Sequence, residues 1–95
     1  SVPIIIHGFS KNLQVAKQLI DNGFYLSFGK YLLRNPELEL VFKSVPNDRF
    51  FLETDTIEES LEDVYKLASK YKSIPTEDVI EIVNSNFKTV FKSII

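Results

Sequence analysis

The chain contains no cysteine, methionine or tryptophan, one histidine and three glycines. Without cysteine there is no disulfide, no thiolate nucleophile and no cysteine-ligated zinc. That absence fits a cytoplasmic protein. Gly8, Gly23 and Gly29 lie far apart, so no glycine-rich phosphate loop can form. No apolar run approaches the ~18 residues of a membrane span, and no signal-peptide pattern opens the sequence. An excess of positive charge is also missing. The net charge of -2 argues against a broad nucleic-acid footprint built from Lys and Arg. It leaves room for a nuclease whose metal ions neutralise the phosphate charge themselves.

What is present is ordinary globular material. Of 95 residues, 44% are hydrophobic and 25% charged, and 8 phenylalanines supply most of the aromatic share. That suffices for one small domain. The apolar run at positions 2–6 begins almost at the first residue. It reads as a core strand entered partway through a domain, ahead of the alternative that an initiator Met was removed before Ser1.

Pro3-Ile4-Ile5-Ile6 is a short continuous apolar run rich in β-branched residues, expected as a strand buried on both faces. A helix follows over about 11–22, with Leu13, Ala16 and Ile20 on its apolar face, beside Val15 and Leu19. Gly23 is expected to end it in a left-handed conformation. Residues 24–28 form the second strand. After Gly29 an irregular turn leads to Asn35-Pro36, a favourable N-cap and first helical position. That short helix ends before Pro46, and 49–52 form the third strand.

Thr56-Ile57-Glu58-Glu59 fits a capping box that opens a helix burying Ile57, Leu61, Val64, Tyr65 and Ala68. A final helix from near Pro75 to about Phe91 buries Val79, Ile82, Val83, Val90 and Phe87. Lys66, Lys70, Lys72, Lys88 and Lys92 are read as solvated helix faces, and Phe87 and Phe91 as core. Strand–helix alternation of this kind implies a parallel sheet with right-handed crossovers. Three strands are few for a complete α/β domain, and a (β/α)8 barrel takes roughly 250 residues.

Two polar groups follow buried strands. His7 comes directly after Ile6, and Asp55 follows Leu52 by way of Glu53 and Thr54. Functional side chains collect at the carboxyl ends of parallel strands. If the strands pack in sequence order, one strand separates the two, and backbones ~10 Å apart allow side chains leaning inward to share a ligand. Such a pair suits metal binding, or a general base held by a carboxylate. The bland alternatives are a histidine bonded to a nearby carbonyl, an aspartate favouring a helix N-terminus and an ion pair between Glu53 and Arg49. No Ser-His-Asp arrangement is available, since Ser10 sits close to the only His without a nucleophile elbow.

At these residues the sequence resembles the TatD-like metal-dependent hydrolases. Ile5-Ile6-His7-Gly8-Phe9-Ser10 is similar to the family's strand ending in His-Cys-Phe and a small hydroxyl residue. Gly23-Phe24-Tyr25-Leu26-Ser27-Phe28 is similar to its Gly-(aromatic)-Tyr-Ile-Ser-Phe strand. Val45-Pro46-Asn47-Asp48-Arg49-Phe50-Phe51-Leu52-Glu53-Thr54-Asp55 resembles its Ile-Pro-x-Asp-Arg-(apolar)3-Glu-Thr-Asp signature. The closing helix from Glu81 to Phe91 resembles its terminal stretch ending Asn-x-x-x-x-Phe. The match covers essentially the whole chain in order.

The resemblance implies an α/β fold made of the C-terminal three βα units of a TIM-type (β/α)8 barrel, its sixth to eighth strands, plus a final helix over residues 1–95. It implies that His7 and Asp55 are metal ligands, that Asp55 orients or deprotonates the attacking water, and that Glu53 supports the ligands from behind. The implied cofactors are divalent ions (Zn, Mg or Mn), and the implied substrate is DNA or another phosphodiester. Gly8 stands where the family usually has Cys. The family's N-terminal His-x-Asp ligands, bridging Glu and earlier His belong to parts outside this chain. Its Pro-Tyr and Asn-Glu-Pro loop is shortened here, Asp55 running almost directly into the helix.

The leading expectation is therefore a fragment of such a hydrolase, inactive by itself because two ligands cannot hold a catalytic metal well. The alternative is a non-catalytic remnant acting as an oligomerisation or interaction module. Open sheet edges and barrel-facing apolar side chains would drive the isolated chain to self-associate. A flavodoxin-like receiver domain is the weakest reading, for want of strands and of an acidic cluster.

Overall fold

The computed structural model describes residues 3–54 and 60–94. Elements follow the order β1 (Ile5–Ile6), α1 (Leu13–Asp21), β2 (Tyr25–Phe28), α2 (Lys30–Arg34), α3 (Leu38–Ser44), β3 (Phe50–Leu52), α4 (Leu61–Lys72) and α5 (Thr76–Ile94). The three strands are parallel and lie in sequence order, β1-β2-β3. Ile6, Leu26 and Phe50 are in register, as are Ser27 with Phe51 and Phe28 with Leu52. Because side chains alternate along a strand, one face carries Ile6, Leu26, Phe28, Phe50 and Leu52. The other carries Ile5, Tyr25, Ser27 and Phe51.

The helices cover the first of these faces. Its centre is an aromatic chain: Phe9 on Phe28 (5.7 Å), Phe28 on Phe42 (5.0 Å) and Phe42 on Phe50 (5.0 Å), each edge-to-face. All four rings are buried, so their area and quadrupole geometry both contribute to the core. The opposite face is only partly covered, by a tilted Tyr25–Phe51 pair with Arg49 over the Tyr25 ring. The expectation that positions 3–6 are buried on both faces fails: Ile5 and Ile6 of β1 are only partly buried, and Ile4 just before it is 48% exposed. β1 is an edge strand of the described sheet, paired with β2 on one side.

Local signals explain most boundaries. Asn12 caps α1, its Oδ1 accepting from the Val15 N–H at 2.9 Å. Gly23 takes φ +84 beyond the helix end, as expected. The supposed irregular turn after Gly29 instead contains α2, whose Leu32 is fully buried. Tertiary burial at one position outweighs a five-residue helix's weak local preference. Asn35-Pro36 forms a turn just ahead of α3, which starts two residues later than expected.

The Thr56–Glu59 capping box and Ile57 lie outside the described residues. The described part of the next helix begins at Leu61, with Ser60 as N-cap, and buries Val64 and Ala68 while Leu61 stays exposed.

Lys72 is not a solvated lysine. Its ammonium donates to the Lys43 and Val45 carbonyls at the end of α3 and sits 5.1 Å from the Phe42 ring centroid. Partial burial lowers its pKa, so between that lowered value and the ordinary lysine value the unfolded chain binds more protons. Stability must then rise with pH across that window. Burial raises the pKa values of Tyr65 and Tyr71, which makes stability fall again above about pH 10. Denaturant midpoints of Lys72→Met measured between pH 8 and 10 should lack the rise seen in the wild type; an unchanged slope would remove Lys72 as its source.

Asn86 is buried within α5 and donates from Nδ2 to the Asn47 and Phe50 carbonyls, both at 2.8 Å. It ties the last helix to the turn that launches β3. Asn86→Ala removes the donor from the buried Phe50 carbonyl and the part-buried Asn47 carbonyl and should cost about 2 kcal/mol. Asn86→Asp should cost more, since it puts a charge against two carbonyl oxygens; near-wild-type midpoints for both variants would contradict this role.

Candidate functional site

The carboxyl ends of all three strands meet at one rim. Gly8, directly after β1 and His7, adopts φ +60, which lets the chain turn so that the Phe9 N–H donates to the Ser27 carbonyl (2.9 Å). Phe9 then enters the core, while the His7 side chain stands 71% exposed at the rim. Glu53 follows β3 and extends the ladder through its N–H to the Phe28 carbonyl (2.9 Å).

Glu53 reaches across β2. Its Oε1 accepts from the Gly8 N–H at 2.9 Å and lies 3.4 Å from His7 Nδ1. Gly29, at the end of β2, makes this crossing possible. A Cβ there would stand 2.6 Å from the Glu53 carbonyl oxygen and 3.2 Å from its Cγ. The bland pairing of Glu53 with Arg49 does not form: Arg49 sits at the other end of β3, against Tyr25.

His7 and Glu53 border two cavities. One, of about 190 Å³, is completed by Gly8, Gly29, Lys30 and Tyr31. The other, of about 330 Å³, opens along the second sheet face, where Ile5, Ser27 and Phe51 meet Phe87, Val90 and Phe91. Phe87 and Phe91, expected as core, are 59% and 52% exposed and stack on each other at 5.8 Å. Their helix packs against β3, and no strand among the described residues covers the pair.

The parallel sheet thus brings His7 and Glu53 together at this rim, whereas the partner expected for His7 across one strand was Asp55. Asp55 lies outside the described residues. Imidazole nitrogen and carboxylate oxygen are donors suited to Zn, Mg or Mn, and a carboxylate beside Nδ1 leaves Nε2 with its lone pair outward. Yet no group of three His, Cys, Asp or Glu side chains that could hold a metal occurs among the described residues. The donor chemistry fits part of a metal site. Lys30 and Tyr31, which sequence reasoning did not single out, complete the lining of the smaller cavity.

The family model for TatD-related DNases matches residues 1–92. The chain belongs to this family. It is 28% identical to the uncharacterized metal-dependent hydrolase YcfH of Escherichia coli K12, and equally to the same protein of the O157:H7 strain, over 92% of its own length and 38% of theirs. The chain therefore spans well under half of the curated relatives it matches. Among solved structures, a TatD-family hydrolase from Entamoeba histolytica superposes with a TM-score of 0.80 at 17% identity, covering 90% of this chain and 41% of that one. YjjV, a TatD homologue from Escherichia coli K12, superposes with a TM-score of 0.78 at 20% identity, covering 90% and 39%. Three parallel βα units and a closing helix are thus a partial TIM barrel of TatD type. No helix among the described residues is long and apolar enough to cross a membrane.

Proposed function

We propose that residues 1–95 provide the sixth to eighth strands of a metal-dependent phosphodiester hydrolase of the deoxyribonuclease type. The observation that carries this reading is the bridge at the strand ends, where Glu53 crosses β2 to reach Gly8 and His7. In it His7 binds a divalent ion (Zn, Mg or Mn) through Nε2, and Glu53 fixes the ring by facing Nδ1. Asp55, two residues beyond Glu53, is a second ligand and takes the proton of the attacking water. When bound, the metal polarises a phosphoryl oxygen and acidifies water. DNA is the substrate class, and the cytoplasm the expected compartment.

The remaining ligands must come from polypeptide outside these residues, so the 95-residue chain alone should be inactive. Incubation with DNA and Mg²⁺, Mn²⁺ or Zn²⁺ tests this: robust EDTA-sensitive cleavage by the isolated chain would contradict the division of the site.

A second reading, an assembly module without catalysis, is favoured by the exposed Phe87–Phe91 pair beside the free edge of β3. Unpaired strand edges and apolar patches favour association. Light scattering decides between behaviours: the isolated chain should self-associate with rising concentration, and a stable monomer at high concentration would remove this reading.

A further inference from the structure

Arg49 stands at the opposite end of the sheet from His7 and Glu53. It lies immediately before β3, its carbonyl accepting from the Leu26 N–H at 3.0 Å. The length of β3, ~13 Å of extended chain, separates it from Glu53. Its guanidinium sits 5.0 Å from the Tyr25 ring centroid, in a cavity of about 370 Å³ walled by Ile4, Asn22, Gly23, Phe24 and Tyr25. No described carboxylate lines this cavity. Asn22 directs its amide elsewhere, Nδ2 donating to the Gln18 carbonyl at 2.7 Å. The ion pairs among the described residues join His7 to Glu53, Lys43 to Glu39 and Lys66 to Glu62, and none includes Arg49.

A partly buried guanidinium against an aromatic face loses hydration, and the cation–π contact restores only part of that loss. Its planar fork fits a carboxylate through two parallel hydrogen bonds, which a ring face cannot supply. By alternation along the strand, Arg49 shares the second sheet face with Tyr25 and Phe51. Beside it Ile4 is 48% exposed, and further along the same face lies the 330 Å³ cavity of Phe87, Val90 and Phe91. The complementary surface is an apolar segment that carries a carboxylate at the Arg49 end.

We propose that Arg49 anchors an aspartate or glutamate on polypeptide outside residues 1–95, in the segment that covers this face. The relatives possess such polypeptide, since the chain matches only 38% of their length. The inference goes beyond the hydrolase reading: it rests on the partial barrel and holds whichever reaction the rim performs. A covering apolar segment excludes water from the pair, which strengthens the attraction. A segment seated out of place would leave the cation buried and unpaired, so the pair also fixes how that segment sits.

The test uses the native gene product that carries these residues, with Arg49→Lys to place an amine at the site. Carbodiimide, which joins an amine to a carboxylate in contact with it, is applied and the product is mapped by peptide mass. Mixing isotope-labelled with unlabelled protein marks any link between copies by its mixed mass. The expected result is a link from position 49 to an Asp or Glu outside residues 1–95 of the same molecule. A link between copies, a link within residues 1–95, or no link from position 49 would overturn the proposal. Arg49→Met should raise the unfolding equilibrium constant at least about tenfold. Replacing the linked carboxylate by its amide in that background should add little, and additive losses would overturn the pairing. Succinate should leave the Arg49 Nε–H resonance of the wild type unmoved; a saturable shift would mean a site open to free carboxylates and overturn the assignment. Failure of the hydrolase reading is seen separately, as absence of metal-dependent DNA cleavage, and leaves these outcomes unchanged.

Discussion

Gly29→Ala should destabilise the fold by about 2–3 kcal/mol and open the rim at the same time. The added methyl meets the Glu53 carbonyl oxygen at 2.6 Å and its carbonyl carbon at 3.4 Å. Those atoms are backbone, and they are held in place by the Glu53 N–H to Phe28 carbonyl bond of 2.9 Å. Nothing there can rotate away, so either β3 slides out from β2 or Glu53 lifts off. Both movements lengthen the Oε1 contacts to Gly8 and His7. Chemical denaturation of Gly29→Ala against wild type checks the stability loss, and the Gly8 amide shift checks the lost bond. A wild-type midpoint with an unmoved Gly8 amide would mean that the strand ends are not packed as described. Gly23→Ala is an informative contrast, because no atom lies within 4 Å of a Cβ there and its cost comes from φ +84 alone. It should lower stability without touching the rim.

His7→Ala should lower metal-dependent hydrolysis by at least ~100-fold in the protein that carries these residues. Loss of an outer partner of a metal ligand typically costs 10–100-fold, and loss of the ligand itself must exceed it. Glu53→Gln belongs in the smaller class. The amide oxygen can still accept from the Gly8 N–H, so the turn survives, but the negative charge facing His7 Nδ1 is gone. Its expected loss is about 10–100-fold, with stability nearly unchanged. The His7 ring is 71% exposed on the isolated chain, so His7→Ala should barely move the denaturation midpoint. Comparable losses of stability and activity would make His7 a structural residue. A larger loss for Glu53→Gln than for His7→Ala would move the central role to the carboxylate.

Much of this architecture was legible in the sequence because each strand is bounded by a strong local signal. Asn12 and Gly23 bracket α1, and Pro46 stops the segment before β3. The Gly-Phe-Tyr-Leu-Ser-Phe run gives a strand whether read by β-propensity or by resemblance. The order β1-β2-β3 and the meeting of His7 with the end of β3 followed from parallel packing. What escaped depended on contacts distant in sequence. α2 exists because Leu32 finds a core site, a fact its five residues do not announce. Lys72 carries the same periodicity as a solvated lysine, yet it ends against two carbonyls and two aromatic rings. Phe87 and Phe91 sit at helical spacing that usually means core, but they line an open cavity beside Ile5, Ser27 and Phe51 and stay more than half exposed. An apolar stripe states that something packs there; it does not state that the partner lies within these 95 residues.

Cleavage of single-stranded DNA by the native gene product that carries these residues tests the central claim most directly. It should be run with Mn²⁺, Mg²⁺ or Zn²⁺, with EDTA, and with His7→Ala. The account predicts divalent-ion-dependent hydrolysis that EDTA abolishes and His7→Ala reduces at least ~100-fold while the fold persists. Absence of cleavage with every ion, or cleavage that survives unchanged in His7→Ala, would contradict it.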